Sequence, residues 1–144
     1  MDYKKKLRRL KRLSDQELDQ RFEIENEKAF KKIDCLSCAN CCITKGPTFS
    51  KKDINRIAKH QNLSPQEFSD KHLKINKDGN YALNQTPCLF LEADNKCGIY
   101  DIRPEPCASY PYLNKRNVSQ LFPYFEAHVS TCLIVEEVIR EVKE

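Results

Sequence analysis

The sequence predicts a small single domain of the α+β class, mostly helical, with one or two short β-hairpins. The chain has 144 residues, which is about the length of one domain. Apolar residues recur at helical spacing in several segments, and turn residues separate short strand-like stretches. Eight cysteines occur in a chain that is only 40% apolar and has no Trp. We therefore expect the fold to be organised around a cysteine-ligated metal centre.

The uneven charge divides the chain into a basic amphipathic helical arm, residues 1–32, and a cysteine-cluster metal-binding domain, residues 33–144. Residues 1–12 contain seven Lys and Arg residues and one acidic residue, whereas the remainder contains 18 basic and 20 acidic residues. The arm could contact a protein partner through its helix. The acidic balance of the remainder argues against a nucleic-acid-binding body.

Helix start signals occur at three serines. Ser14, Ser50 and Ser64 are each followed three positions later by an acidic residue, which is the pattern of a capping box. Pro65 suits the first position of a helix. Apolar spacing predicts helices from Ser14 to about residue 33, after Ser50, after Ser64, and in the tail that follows Cys132.

Two stretches are predicted to form hairpins. KINKDGNYAL has Asp78 and Gly79 in a turn between two short strands. CLFLEADNKCGIY has the polar EADNK between two arms, with Cys88 and Cys97 at comparable positions on them. The prolines of the following RPEPCASYP exclude a long helix there.

The cysteines are the strongest functional signal, and four of them lie in CLSCANCC. On a continuous helix Cys35, Cys38 and Cys42 would share one face. In a loop, Cys35, Cys38 and Cys41 form the C-x2-C-x2-C run with which ferredoxin loops hold a 4Fe–4S cluster. The eight thiols could make two four-cysteine sites, or one site and four accessory thiols. All eight are candidate metal ligands: Cys35, Cys38, Cys41, Cys42, Cys88, Cys97, Cys107 and Cys132.

Thiolates favour zinc, iron or an iron–sulfur cluster over magnesium or calcium. The spacing alone does not settle zinc against iron, although the C-x2-C-x2-C run favours iron–sulfur. No apolar segment follows the basic N-terminus, and no run of 18 apolar residues could span a membrane. We therefore expect a cytoplasmic protein without a membrane span, where disulfides are rare. A disulfide framework is the less favoured interpretation.

Few other side chains suggest chemistry. Arg103 could offset thiolate charge or pair with Asp101 or Glu105, and His128 is the one further ligand candidate. Paired carboxylates, a nucleotide loop and a catalytic triad are not recognisable, so no catalytic residue is assigned. Three functional classes stay open: a metal-binding module, a metal-dependent protein-modifying or redox enzyme, and a nucleic-acid-associated zinc protein that uses the basic arm.

CLSCANCC, CLFLEADNKCGIYDIRPEPCASYP and Cys132 together resemble the YkgJ-type cysteine-cluster family, the CxxCxxCC domain described as zinc- or iron-chelating. The resemblance covers most of the chain and includes all eight cysteines. It implies chelation of zinc or iron, and a related cluster occurs in flagellin lysine methylases. Leu89, Ala108 and Leu133 stand where the family often has Pro, Arg and Pro. Tyr112 stands where it often has His or Phe, so a histidine ligand is missing there.

Overall fold

A computed structural model describes the whole chain, Met1–Glu144. The chain forms two compact units, which we name the terminal unit, residues 1–38 and 111–144, and the central unit, residues 39–110. In chain order the elements are α1 (Tyr3–Leu10), α2 (Asp15–Lys32), α3 (Cys35–Cys38), α4 (Asn40–Thr44), β1 (Thr48–Phe49), α5 (Lys51–His60), α6 (Pro65–His72), β2 (Leu73–Ile75), β3 (Tyr81–Leu83), a 3-10 turn (Tyr100–Ile102), α7 (Glu105–Ser109), a second 3-10 turn (Val118–Leu121), α8 (Phe122–His128) and α9 (Leu133–Glu141). The predicted α+β class, mostly helical, is confirmed.

The terminal unit is built from helices that pack around aromatic side chains. Phe22 of α2 lies at the centre, and its ring stacks on Phe122 at 5.6 Å and on Phe125 at 6.0 Å between centroids. All three side chains are buried, together with Val135 and Val138 of α9. Burial of each such side chain stabilises the fold by about 1.5–3 kcal/mol. None of the helices has the length and apolar character needed to cross a membrane.

Helix α1 packs on α9 within the terminal unit. Leu7 and Leu10 are buried, and Leu13 is half-buried just beyond the end of the helix. Lys6 Nζ donates a hydrogen bond to the carbonyl oxygen of Arg140, and Tyr3 Oη donates to a carboxylate oxygen of α9. The apolar face of the basic helix is therefore covered by its own chain. The predicted domain boundary between residues 32 and 33 stays a prediction.

The three predicted helix start signals are confirmed. Ser14, Ser50 and Ser64 each accept, through their side-chain oxygen, a hydrogen bond from the backbone N–H three positions later. In each case the acidic side chain at that position accepts from the backbone N–H of the serine. These capping boxes satisfy N–H groups that a helix cannot pair internally.

A three-stranded antiparallel sheet in the order β1–β3–β2 lies in the central unit. Strands β2 and β3 form the first predicted hairpin, in which Leu73 pairs with Leu83 and Ile75 pairs with Tyr81. Gly79 has a φ of 80°, a left-handed conformation that glycine adopts without steric cost. Strand β1 was not predicted, because a strand of two residues has no readable alternation.

The core of the central unit forms around Phe68 of α6. Its ring lies 6.1 Å from Phe49 and 6.4 Å from Phe90 between centroids. Cys88 and Cys97 are only partly buried and pack against this core. The core therefore carries these two cysteines at its edge.

Candidate metal centre

Helix α4 carries the adjacent cysteines, Cys41 and Cys42. It begins after Ala39, whose φ of 51° is left-handed and interrupts the helix that ends at Cys38. The continuous helix that would place Cys35 and Cys42 on one face does not form. The carbonyl oxygen of Cys41 accepts the N–H groups of Lys45 and Gly46 at 3.0 and 3.1 Å, which ends α4 in a tight turn.

A backbone hydrogen bond brings Cys88 to α4. The N–H of Cys88 donates to the carbonyl oxygen of Cys42 at 2.7 Å, although the two residues are distant in sequence. The carbonyl of Cys88 accepts from Leu91 N–H at 3.1 Å, so the chain turns directly after the cysteine. The N–H groups of Phe90 and Leu91 also donate to the sulfur of Cys88. Such hydrogen bonds stabilise a thiolate.

Cys97 lies opposite Leu91, not opposite Cys88. The pairing is a single antiparallel bridge, flanked by a hydrogen bond from Gly98 N–H to the carbonyl of Phe90 at 2.8 Å. The second predicted hairpin is therefore reduced to one bridge, and its cysteines do not occupy matching positions. The physical reason is that the N–H of Cys88 donates to Cys42 and its carbonyl accepts from Leu91 in a turn, so neither group is available to pair with the Cys97 segment.

Cys107 lies in the short helix α7, and its N–H donates to the carbonyl of Pro104 at 2.9 Å. The pKa of its thiol is raised, by desolvation first and then by the thiols of Cys88, Cys41 and Cys97. The residue as a whole is exposed, and its raised pKa also reflects the nearby sulfurs of these three cysteines. Cys107 therefore shares a neighbourhood with thiols from other segments.

The adjacent thiols of Cys41 and Cys42 differ in pKa. Cys41 donates a hydrogen bond to the sulfur of Cys42, which raises the pKa of Cys41 and lowers the pKa of Cys42. Desolvation and the sulfurs of Cys88, Cys97 and Cys107 oppose the ionisation of Cys42 but do not outweigh this bond. Cys42 is consequently the thiol of the pair that ionises first.

Together these interactions define one thiol cluster in the central unit, contributed by four chain segments. Desolvation, followed by the neighbouring thiols, also raises the pKa of Cys88. The members of the cluster are free thiols: Cys41, Cys42, Cys88, Cys97 and Cys107. Ionisation of several of these thiols would place like charges near one another, and a bound cation would relieve that repulsion.

Arg103 contributes a positive charge beside the cluster. Its guanidinium carbon lies 4.0 Å from the centroid of the Tyr100 ring, and its Nη1 donates to the carbonyl of Tyr100 at 2.6 Å. Its charge opposes the rise in the pKa of Cys107. Of the two roles expected from the sequence, the contacts therefore favour an offset of thiolate charge.

Sequence reasoning missed a polar clamp that holds the Cys107 segment. Arg56 of α5 donates to the carbonyl oxygens of Ile102 and Arg103 at 3.1 and 2.9 Å. Asp53, almost fully buried, accepts from Glu105 N–H at 3.2 Å. The sequence showed Asp53 only as part of a capping box, because its second partner is remote along the chain.

The remaining three cysteines belong to the terminal unit. Cys35 is exposed, Cys38 is half-buried, and Cys132 is buried at the start of α9, where its N–H donates to the carbonyl of His128 at 2.9 Å. The ring of His128 stacks on Tyr124 at 3.9 Å between centroids, and its Nδ1 lies 2.7 Å from the Tyr124 carbonyl oxygen. Their roles as ligands stay predictions.

The cluster has the donor chemistry of a thiolate metal site, but its side chains do not converge on one point. No group of three or more Cys, His, Asp or Glu side chains could hold an ion in this arrangement. The χ1 angles of cysteines have three staggered positions, so the sulfurs can turn without moving the backbone. The donor set therefore fits a soft cation, provided that the cysteine side chains rotate to bring their sulfurs together.

A cleft of about 390 Å³ lies in the terminal unit and contains no thiol. Its lining is polar, aromatic and cationic: Tyr112, Lys115, Arg116, Asn117, Gln120, Leu121 and Tyr124. The enzyme interpretation requires an open pocket beside the metal ligands. The residues that line this cleft all belong to the terminal unit, and none of them is a cysteine.

Comparison with known proteins identifies a family and finds similarity to curated proteins. The profile of the CxxCxxCC family, described as "Putative zinc- or iron-chelating domain", matches residues 34–132. The chain is 31% identical over 81 residues to "Uncharacterized protein MJ0661" of Methanocaldococcus jannaschii. That similarity covers 54% of this chain and 43% of the relative, so the chain spans less than half the length of the protein it matches. No solved structure matches.

Proposed function

The chain belongs to the CxxCxxCC family, and from that premise we propose that its central unit binds one zinc ion through Cys42, Cys88, Cys97 and Cys107. Family membership supports the binding of zinc or iron. The observation that carries the choice of ligands is the meeting of separate segments: the N–H of Cys88 donates to the carbonyl oxygen of Cys42 at 2.7 Å, and Cys97 pairs with Leu91. The sulfurs of Cys88 and Cys97 also raise the pKa of the Cys107 thiol, which supports its inclusion. When bound, the ion would neutralise thiolate charge and link these segments.

Four thiolates complete the coordination shell of a structural zinc ion, which leaves Cys41 as the fifth thiol of the cluster. Its hydrogen bond to the Cys42 sulfur gives it a role that does not require direct coordination. Arg103 and the N–H groups that point to Cys88 supply further positive partners for the sulfurs. Cys35, Cys38 and Cys132 remain candidates for additional ligation.

Two features support a single ion over a 4Fe–4S cluster. The C-x2-C-x2-C run does not form one loop, because Ala39 separates α3 from α4. The four proposed ligands come one each from four chain segments, and no short loop supplies three of them. Iron in place of zinc is compatible with the same donors.

Metal analysis with an absorption spectrum of anaerobically purified protein tests the metal. We expect a colourless protein with one zinc ion per chain. A brown protein that absorbs at about 400 nm would show an iron–sulfur cluster and contradict the single-ion proposal. Protein that holds no metal, and takes up neither zinc nor iron after reduction, would contradict metal binding itself.

The adjacent cysteines offer a matched pair of variants for the ligand assignment. Cys42→Ser removes a proposed ligand, whereas Cys41→Ser replaces a thiol that is not a proposed ligand by a hydroxyl, which can still donate a hydrogen bond to the Cys42 sulfur. We expect Cys42→Ser to lose bound zinc and Cys41→Ser to keep one ion per chain. The reverse result, or equal losses, would assign the site differently.

A reducing cytoplasmic setting is part of this proposal. The thiols of the cluster bind metal only while they are reduced, and the cytoplasm keeps them so. Cell fractionation, followed by thiol labelling of the freshly released protein, tests the setting. Recovery of the chain with oxidised thiols from an extracytoplasmic fraction would contradict it.

A further inference from the structure

We propose that Asp53 and Arg56, which lie outside every cysteine motif, are positioning residues that hold Cys107 in the thiol cluster. The inference rests on the metal site proposed above and extends it to two residues that are not among the proposed ligands. Both residues lie on α5, and they act on the segment that runs from Arg103 to Cys107.

The carboxylate of Asp53 serves two helices at once. One oxygen accepts from Ser50 N–H at 3.0 Å, which caps α5. The other accepts from Glu105 N–H at 3.2 Å, and Glu105 is the first residue of α7. Because Asp53 is only 2% exposed, water cannot replace it as the acceptor for these groups.

Arg56 fixes the chain just before α7. Its Nη2 donates to Asp53 at 2.9 Å and to the carbonyl oxygens of Ile102 and Arg103 at 3.1 and 2.9 Å. Its Nε donates to Ile102 as well, at 3.2 Å. The planar guanidinium presents several donors in a rigid fork, so it can hold two carbonyls and a carboxylate together.

Cys107 depends on these anchors because α7 is short. The helix has five residues, too few to be stable without tertiary contacts. Cys107 lies two positions after Glu105, whose N–H donates to Asp53, and its own N–H bonds back to Pro104. The clamp therefore fixes the backbone from which the sulfur of Cys107 projects.

Zinc affinity, measured by competition with a chromogenic chelator, tests this role in the full chain. We expect Asp53→Asn and Arg56→Gln each to weaken zinc binding about 10–100-fold, as is usual when partners of metal ligands are removed. Lys59→Gln is the matched control for Arg56→Gln, because it removes one positive charge from an exposed position on the same helix. We expect it to bind zinc as the unaltered protein does.

A double-variant comparison separates positioning from a general loss of structure. If the clamp acts through Cys107, Asp53→Asn should lower the zinc affinity little further in a protein that already carries Cys107→Ser. The inference would be overturned if Asp53→Asn lowered the zinc affinity as much in the Cys107→Ser background as in the unaltered protein. It would also be overturned if Lys59→Gln lowered the zinc affinity as much as Arg56→Gln does. Arg56→Lys keeps the charge but loses the fork, and it provides a milder variant should Arg56→Gln fail to fold.

Hydrogen exchange provides a readout that does not depend on metal. In metal-free protein, Asp53→Asn and Arg56→Gln should raise amide exchange across α7 more than across α6. Unaltered exchange in α7 would overturn the inference. If the unaltered protein does not bind zinc, the proposed function is refuted. If it binds zinc and both clamp variants bind zinc equally well, only the positioning role is refuted.

Discussion

At the scale of single residues, neighbours along the chain have unlike chemical environments. Cys41 keeps its proton by donating to Cys42, whereas Cys42 gains from that bond and ionises more readily. The pKa of Asp53 is likewise determined by its hydrogen-bond partners. Burial alone would raise the pKa of Asp53, but hydrogen bonds from Ser50, Arg56 and Glu105 outweigh burial and leave the pKa below its ordinary value. These contacts stabilise the charged carboxylate.

The lowered pKa of Asp53 predicts an acid-dependent loss of stability. Its contribution is fully present above the unfolded pKa of about 3.9 and is lost as the pH falls through the lower folded pKa. The free energies of unfolding of the unaltered protein and Asp53→Asn should therefore differ less at about pH 3 than at about pH 6. Urea denaturation of both proteins, each free of metal, measures this difference. A difference that is constant with pH would contradict the assignment.

At the scale of elements, helix α1 shows how a basic segment can be part of a core. Lys4, Lys5 and Arg8 are exposed, whereas Leu7 and Leu10 are buried. Lys6 is buried as well, and its Nζ donates to the carbonyl of Arg140 on α9. The arm was predicted as a basic amphipathic helix, but a sequence pattern cannot show which surface its leucines contact. The structure assigns that surface to α9 and α8 of the same unit.

Truncation of these leucines should reveal the packing of α1. Leu10 is fully buried, so Leu10→Ala should lower the free energy of unfolding by about 2–5 kcal/mol. Leu13→Ala is the matched control, and it should cost less because Leu13 is only half-buried. Thermal or urea denaturation gives both values. Equal, small effects would indicate that α1 does not pack on the unit.

At the scale of the whole molecule, the sequence predicts what local patterns determine. The three capping serines located the starts of α2, α5 and α6, and the Asp78–Gly79 turn located the hairpin. The α+β class followed from these elements. The cysteines could be recognised as candidate ligands because clustered cysteines at short spacing are typical of metal sites.

Contacts between distant segments were not predictable in the same way. The hydrogen bond from Cys88 N–H to the Cys42 carbonyl depends on the folded core, and so does the hold of Asp53 on Glu105. The pairing of Cys97 with Leu91 was misread, because alternation in a short stretch does not fix its register. Local sequence therefore identified the thiols but not the segments that hold them.

Removal of metal should affect the two units differently. The proposed ligands all lie in the central unit, whereas the stacked Phe22, Phe122 and Phe125 support the terminal unit without them. Chelation should therefore increase amide exchange around α4 and α7 more than in α2 and α9. Hydrogen exchange with mass spectrometry, before and after chelation, measures this contrast. A uniform change, or none, would contradict a metal that stabilises the central unit.

X-ray absorption at the zinc edge of the loaded protein tests the central claim most directly. Four thiolates on one ion predict a first shell of sulfur alone, at about 2.3 Å. A first shell dominated by nitrogen or oxygen at about 2.0–2.2 Å would contradict the proposed ligands, because such atoms would have to come from outside the thiol cluster.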